Sequence, residues 1–98
     1  MKIPKSFKVG KKKYKVYEVS IASNPTCVKG DVSFLRQEVT IGHFVNSRAM
    51  LDKERATVFW HEALHAMLYD MGSSNNNDEQ FVEALAKRIT EIVYTARF

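Results

Sequence analysis

Apolar and polar residues alternate along the first part of the chain, as they do in strands that bury one face. Strand-forming side chains recur over residues 7–9 and again over residues 14–21, and Gly10-Lys11-Lys12-Lys13 separates the two runs. This pattern predicts a β-hairpin, and one longer strand over residues 8–21 is the alternative.

Two more short strands are predicted ahead of the helical part of the chain, around residues 32–34 and 39–41, after a loop at residues 22–26. The strand that leads into the first helix, over residues 38–44, is expected to be an edge strand. An edge strand can bind the backbone of an extended peptide substrate.

A helical period replaces the alternation in the second part of the chain. The first helix is predicted to start near Asp52, although residues 46–47 offer an earlier cap, and to stop at Gly72. A polar loop then leads to a second helix over about residues 78–96. Its cap is predicted among Asn76, Asn77 and Asp78, and its apolar residues recur at helical spacing: Phe81, Leu85, Ile89, Ile92, Val93 and Ala96.

The order of these elements is strands, then helix, then helix. It predicts a single α+β domain over residues 1–98, in which a small antiparallel sheet carries both helices on one face.

The first predicted helix contains the pentapeptide His61-Glu62-Ala63-Leu64-His65. Residues at i and i+4 share a helix face, so the two imidazoles can ligate one Zn²⁺. Glu62 lies about 100° round the helix from His61 and is placed to act as a general base toward water at the metal. A helix with two ordinary core or surface histidines is the alternative, which the apolar context and the adjacent Glu62 disfavour.

Zinc requires a third protein ligand. No histidine follows His65, so the candidates are the upstream His43 and these downstream carboxylates: Asp70, Asp78, Glu79, Glu83 and Glu91. Projection of the second helix at about 100° per residue places Glu79 nearer than Glu83 to the apolar stripe. Glu79 is therefore the preferred ligand, and Glu83 is expected to accept a hydrogen bond from a ligand imidazole. The reverse assignment stays open.

Two other side chains, His43 and Tyr69, are candidates for oxyanion or substrate contacts. Neither has a spacing that requires this role. A surface loop for His43 and core packing for Tyr69 are the alternatives.

Composition is that of an ordinary water-soluble domain, with 45% hydrophobic and 27% charged residues. No apolar run reaches membrane-spanning length, and the basic N-terminus is not followed by a signal-peptide segment. Cys27 is the only cysteine. These features predict a cytoplasmic protein in which Cys27 is a spectator thiol rather than a zinc ligand.

Positive charge is concentrated in residues 1–50, which hold ten Lys or Arg against three Asp or Glu, and it is densest from Lys8 to Lys15. Such a patch, with Tyr14 and Tyr17 interleaved, can bind nucleic acid or an acidic partner. A solvated hairpin turn is the alternative and the preferred interpretation.

The His61-Glu62-x-x-His65 motif and the following helix resemble the minimal ImmA/IrrE-type metallopeptidases, which are gluzincin-like domains of phages, mobile elements and bacteria. In the second helix, the residues that resemble the family pattern are Glu79-Gln80-Phe81-Val82-Glu83-Ala84-Leu85-Ala86. The segment from Gly30 to Ile41 is also similar, so the resemblance covers roughly residues 30–96.

This resemblance implies a zincin-like fold, one Zn²⁺ per chain and an endopeptidase that acts on a protein substrate, in known cases a transcriptional repressor. Matching Leu85-Ala86 to the family pattern again puts Glu79 at the ligand position. The chain lacks a helix-turn-helix region and the Leu-Leu-Met-Pro-like tail of larger members, which leaves the substrate open. The alternative function is a catalytically silent, zinc-stabilised interaction domain, with a basic hairpin that binds nucleic acid.

Overall fold

Six strands and two α-helices form in the residues that the computed structural model describes, which are 1–19, 29–45 and 48–98. The strands are β1 (Ser6–Val9), β2 (Lys12–Val19), β3 (Gly30–Ser33), β4 (Glu38–Gly42), β5 (Phe44–Val45) and β6 (Arg48–Ala49). The helices are α1 (Asp52–Asp70) and α2 (Glu79–Thr95), with a short 3-10 helix (Ser74–Asn77) between them. The predicted loop at 22–26, the role of Cys27 and the cap at 46–47 lie outside the described residues.

The predicted hairpin is confirmed. Strands β1 and β2 pair antiparallel, with Phe7 opposite Tyr14 and Val9 opposite Lys12. Gly10 takes a φ of +59°, a left-handed conformation that glycine adopts without steric cost. The turn is tighter than predicted, because Lys12 already pairs within β2.

The main sheet is mixed and has the order β1-β2-β4-β3. β3 and β4 pair antiparallel, as expected of neighbouring strands, but β2 and β4 pair in parallel. The prediction of an edge strand at residues 38–44 is therefore wrong, because β4 lies inside the sheet. Its side chains Val39 and Ile41 are fully buried, as a central strand requires. In the part of the chain that the structure describes, β1 and β3 are the edges of this sheet.

One face of the sheet packs on α1. Phe7 stacks on Tyr14 with 5.3 Å between ring centroids and meets Phe59 of α1 edge-on at 5.6 Å. The core that results contains Tyr14, Val39, Ile41, Phe59, Ala63 and Ala66. Tyr14 is fully buried, so the prediction that it is interleaved with lysines on a nucleic-acid surface is wrong for this residue. Tyr17 remains 44% exposed.

Local signals fix both helices at the predicted positions. Glu54 accepts a hydrogen bond from the Leu51 N–H at the start of α1, and Gly72 follows its end with a φ of +67°. Asp78 caps α2 by accepting from the Phe81 N–H at 3.0 Å.

The second helix packs on the first through a smaller apolar cluster of Leu64, Val82 and Ala86. The α+β class is confirmed, with α1 lying on the sheet and α2 lying against α1. Among the described residues, neither helix combines the length and the hydropathy that a membrane span requires.

Candidate metal centre

Helix α1 brings His61 and His65 together one turn apart. Their ring centroids are separated by 4.9 Å and their Nε2 atoms by 3.2 Å. His65 is buried, with 7% of its surface exposed. The apolar residues beside it, Ala63, Leu64 and Ala66, are also buried, so packing of this helix fixes the backbone that carries both imidazoles.

Glu79, the first residue of α2, meets the two imidazoles. Its Oε2 lies 3.0 Å from His61 Nε2, and its Oε1 lies 3.0 Å from His65 Nε2. The two imidazoles contact different oxygens of Glu79, and one ligand atom from each of the three residues lies within 4.8 Å of the others. His61, His65 and Glu79 could therefore hold a metal ion.

Glu83 lies on the other side of the His61 ring. Its Oε2 is 2.8 Å from His61 Nδ1. This nitrogen is buried and forms no hydrogen bond of good geometry with the described residues, so the contact is close but not aligned. Donation from Nδ1–H to the Glu83 carboxylate would leave Nε2 free as a ligand. Glu79 thus contacts the Nε2 atoms of both imidazoles, whereas Glu83 contacts only Nδ1 of His61.

Asn76 is a site residue that sequence reasoning missed. Its Oδ1 lies 3.0 Å from His65 Nδ1. In the tautomer that donates Nδ1–H to this amide oxygen, the lone pair of Nε2 points toward His61 and Glu79. The sequence showed Asn76 only as a candidate helix cap, because an asparagine in a polar loop carries no signal for a histidine partner.

The loop between the helices owes its shape to two local hydrogen bonds. The Ser73 hydroxyl accepts from the Asn75 N–H at 3.2 Å, and the Asp78 carboxylate accepts from the Phe81 N–H at 3.0 Å. These bonds place Asn76 and Glu79 on the same side of the loop as the two imidazoles.

Glu62, the predicted general base, is buried beside the ligand pair, with 8% of its surface exposed. Burial raises its pKa from the ordinary 4.5 to about 7. Repulsion from Asp31 and Glu79 adds to this rise, and attraction to His61 and His65 opposes it. A carboxyl group of this kind can both accept and release a proton near neutral pH.

Strand β3 approaches α1 at Gly30. A Cβ at this position would collide with the Val58 side chain, and it would lie 3.4 Å from Glu62 Cγ and 3.1 Å from the carbonyl oxygen of Thr40. The absence of a side chain thus lets strand β3 lie directly against Val58 and Glu62 of α1.

Two clefts meet at Gly30, His61 and Glu62. The first, of about 340 Å³, runs toward the start of α1 and the middle of α2. The second, of about 480 Å³, follows β3 toward the loop between the helices. It is lined by Gly30, Asp31, Val32, Phe34, His61, Glu62, His65, Asn76, Asn77 and Glu79. The candidate ligands therefore line a cleft that runs along strand β3.

The two candidates for oxyanion contacts do not line these clefts. The Tyr69 ring stacks on Phe34 at 4.1 Å, and the Lys12 ammonium lies 5.1 Å from its centroid. The His43 backbone bonds to Val19 and Met50 at the end of β4.

The other third-ligand candidates also have different surroundings. Asp70 lies against the Gly10 turn, Asp78 caps α2 and Glu91 contacts Arg88 at 3.5 Å.

No protein-family model matches the sequence, and comparisons with curated proteins and with solved structures gave no significant match.

Proposed function

We propose that this protein is a zinc-dependent endopeptidase that hydrolyses a peptide bond of a protein substrate. One observation carries the proposal: the buried carboxyl of Glu62 adjoins a His61, His65 and Glu79 group that could hold a metal ion, and all four residues line a cleft along strand β3. The resemblance of residues 30–96 to ImmA/IrrE-type metallopeptidases supports the same function.

The donor set of two imidazoles and one carboxylate suits zinc and leaves a coordination position free. When bound there, the ion would supply Lewis acidity toward a substrate carbonyl and a water molecule. His65 is held by Asn76, and His61 lies against Glu83, so each ligand ring has a polar neighbour at its Nδ1 atom. Such neighbours orient ligand rings and raise their basicity.

Glu62 performs the proton transfers in this proposal. Its carboxylate takes a proton from the attacking water and holds it on oxygen while the carbonyl carbon becomes tetrahedral. It then delivers that proton to the nitrogen of the leaving amine as the C–N bond breaks.

Strand β3 replaces the interior strand β4 as the docking edge for substrate. Among the described residues no strand pairs with the outer edge of β3, and this edge can pair with an extended peptide whose scissile bond then passes over the ligand group. Gly30 allows this close approach. A cytoplasmic location, which rests on the N-terminal pattern and the single cysteine, and a substrate such as a transcriptional repressor, which rests on the sequence resemblance, are further parts of the proposal.

Two measurements test the proposal: the zinc content of the purified protein and its cleavage of peptides. Protein purified without a chelator or a metal-affinity resin is expected to carry about one zinc per chain and to lose it in His65→Ala. The Glu62→Gln variant is expected to keep the zinc and the fold but to lose cleavage of a proteome-derived peptide library. Zinc binding with no cleavage by the wild-type protein would instead favour the silent interaction domain. A folded protein that takes up no zinc would overturn both functions.

A further inference from the structure

The first of the two clefts has two lysines in its wall. It lies between the start of β3, the N-terminal half of α1 and the middle of α2, and we name it the lysine cleft. It is lined by Lys29, Gly30, Glu54, Thr57, Val58, His61, Glu62, Glu83 and Lys87. Its volume of about 340 Å³ is enough for one large side chain of a bound peptide.

Each carboxylate that lines the lysine cleft already lies against another side chain of the protein. Glu54 is held by the Arg48 guanidinium through two contacts, of 2.8 and 3.0 Å. Glu83 lies 2.8 Å from His61 Nδ1. Glu62 is buried beside the metal ligands and belongs to the proposed proton transfer.

The two lysines differ from these carboxylates. Both are exposed, and among the residues that the structure describes neither forms an ion pair within 4.0 Å. Their ammonium groups are thus available to an incoming ligand. Glu54 is held chiefly by Arg48, and Lys29 adds only a weaker attraction to it.

The lysine cleft opens beside the position where the scissile bond would lie, because His61, Glu62 and Gly30 form its inner wall. Successive side chains of an extended peptide point to opposite sides of its backbone. A peptide paired with β3 therefore directs one side chain close to the scissile bond into this cleft.

We propose that the lysine cleft is a specificity subsite that selects an aspartate or glutamate side chain next to the scissile bond. This inference rests on the proposed peptidase function and names its substrate class. Lys29 and Lys87 bind the carboxylate through charge-assisted hydrogen bonds. The cleft has room for one large side chain, which confines the preference to one position of the substrate.

Cleavage of a proteome-derived peptide library by the zinc-loaded protein tests the inference, with cut sites determined by mass spectrometry. The wild type is expected to show Asp or Glu enriched at a single position within three residues of the cut. Lys29→Glu and Lys87→Glu are each expected to abolish this enrichment or convert it to Lys or Arg. Lys13→Glu is the matched control, because Lys13 is exposed on β2 and does not line the cleft; it is expected to keep the wild-type profile.

A binding measurement gives a second readout that does not depend on turnover. One cleaved acidic peptide and its copy with Gln or Asn at the selected position are labelled and titrated with zinc-loaded Glu62→Gln protein. The acidic peptide is expected to bind roughly tenfold more tightly, and Lys87→Glu in the same background is expected to remove the difference.

The possible outcomes distinguish failure of the subsite from failure of the peptidase function. Cleavage with no acidic preference, or with the same preference in wild type, Lys29→Glu and Lys87→Glu, overturns the subsite and leaves the peptidase function standing. No cleavage of any peptide by zinc-loaded wild type overturns the peptidase function, and the subsite with it.

Discussion

Asn76 holds His65 from the loop between the helices: its Oδ1 lies 3.0 Å from the ring Nδ1, on the opposite side of the ring from His61 and Glu79. This contact joins a residue of no evident role in the sequence to one ligand of the candidate metal centre. It determines which tautomer of His65 prevails and therefore which nitrogen is available to a metal ion.

We expect Asn76→Ala to weaken zinc binding by about 10- to 100-fold, the usual cost of losing a partner that orients a ligand histidine. Competition with a chromophoric chelator at neutral pH measures the affinity. Asn75→Ala is the matched control from the same loop, since it is the Asn75 backbone N–H that bonds to Ser73. Equal affinities for the two variants would show that Asn76 does not orient the ligand.

Glu79 and Glu83 are one helical turn apart and contact different nitrogens of His61. We expect Glu79→Gln to reduce zinc affinity far more than Glu83→Gln, because the first removes an anionic ligand and the second only a neighbour of a ligand ring. Both variants keep the size of the side chain, so titration of zinc into each compares them directly. A larger loss in Glu83→Gln would reverse the assignment of the third ligand.

Features that depend on local sequence were predictable. The spacing of His61 and His65 fixes their separation on a helix, and Asp78 and Gly72 determine where helices begin and end. The position of Glu79 beside the first helix could be predicted by projecting the second helix, because a short loop forces that helix to pack against the first.

Features that depend on pairing between distant segments were not predictable. The alternation of Val39 and Ile41 indicates a strand but neither its partner nor its direction, so β4 was wrongly placed at an edge of an antiparallel sheet. Asn76 reaches His65 only through the conformation of the loop between the helices. Tyr69 stacks on Phe34 instead of approaching the ligands, a contact that no spacing reveals.

Gly30 has no room for a side chain, since a Cβ would collide with Val58. We expect Gly30→Ala to destabilise the protein by about 1–3 kcal/mol, as overpacking usually does, and to lower kcat/KM for peptide cleavage by shifting β3 away from Glu62. Urea unfolding and peptide kinetics measure the two effects. The double variant Gly30→Ala with Val58→Ala removes the colliding methyl groups. It should therefore be less destabilised than the sum of the single variants, and strict additivity would contradict the collision.

Glu54 connects the start of α1 to Arg48 and is expected to make stability depend on pH. Hydrogen bonds from the Arg48 side chain and then from the Leu51 backbone lower the pKa of Glu54 from the ordinary 4.5 to about 2. Because the folded pKa is below the unfolded one, the stabilising contribution is fully present above pH 4.5 and is lost as pH falls toward 2. It is modest, since the pair is exposed to solvent.

Urea unfolding of the metal-free wild type and of Glu54→Gln, at pH 7 and at pH 3, tests this linkage. A chelator keeps the protonation of metal ligands from contributing through lost zinc. The wild type is expected to be the more stable protein at pH 7, and the difference is expected to shrink at pH 3, where the carboxylate begins to protonate. A gap of the same size at both pH values would show that the ionised Glu54 carboxylate does not stabilise the fold, and that its contact with Arg48 has no energetic weight in solution.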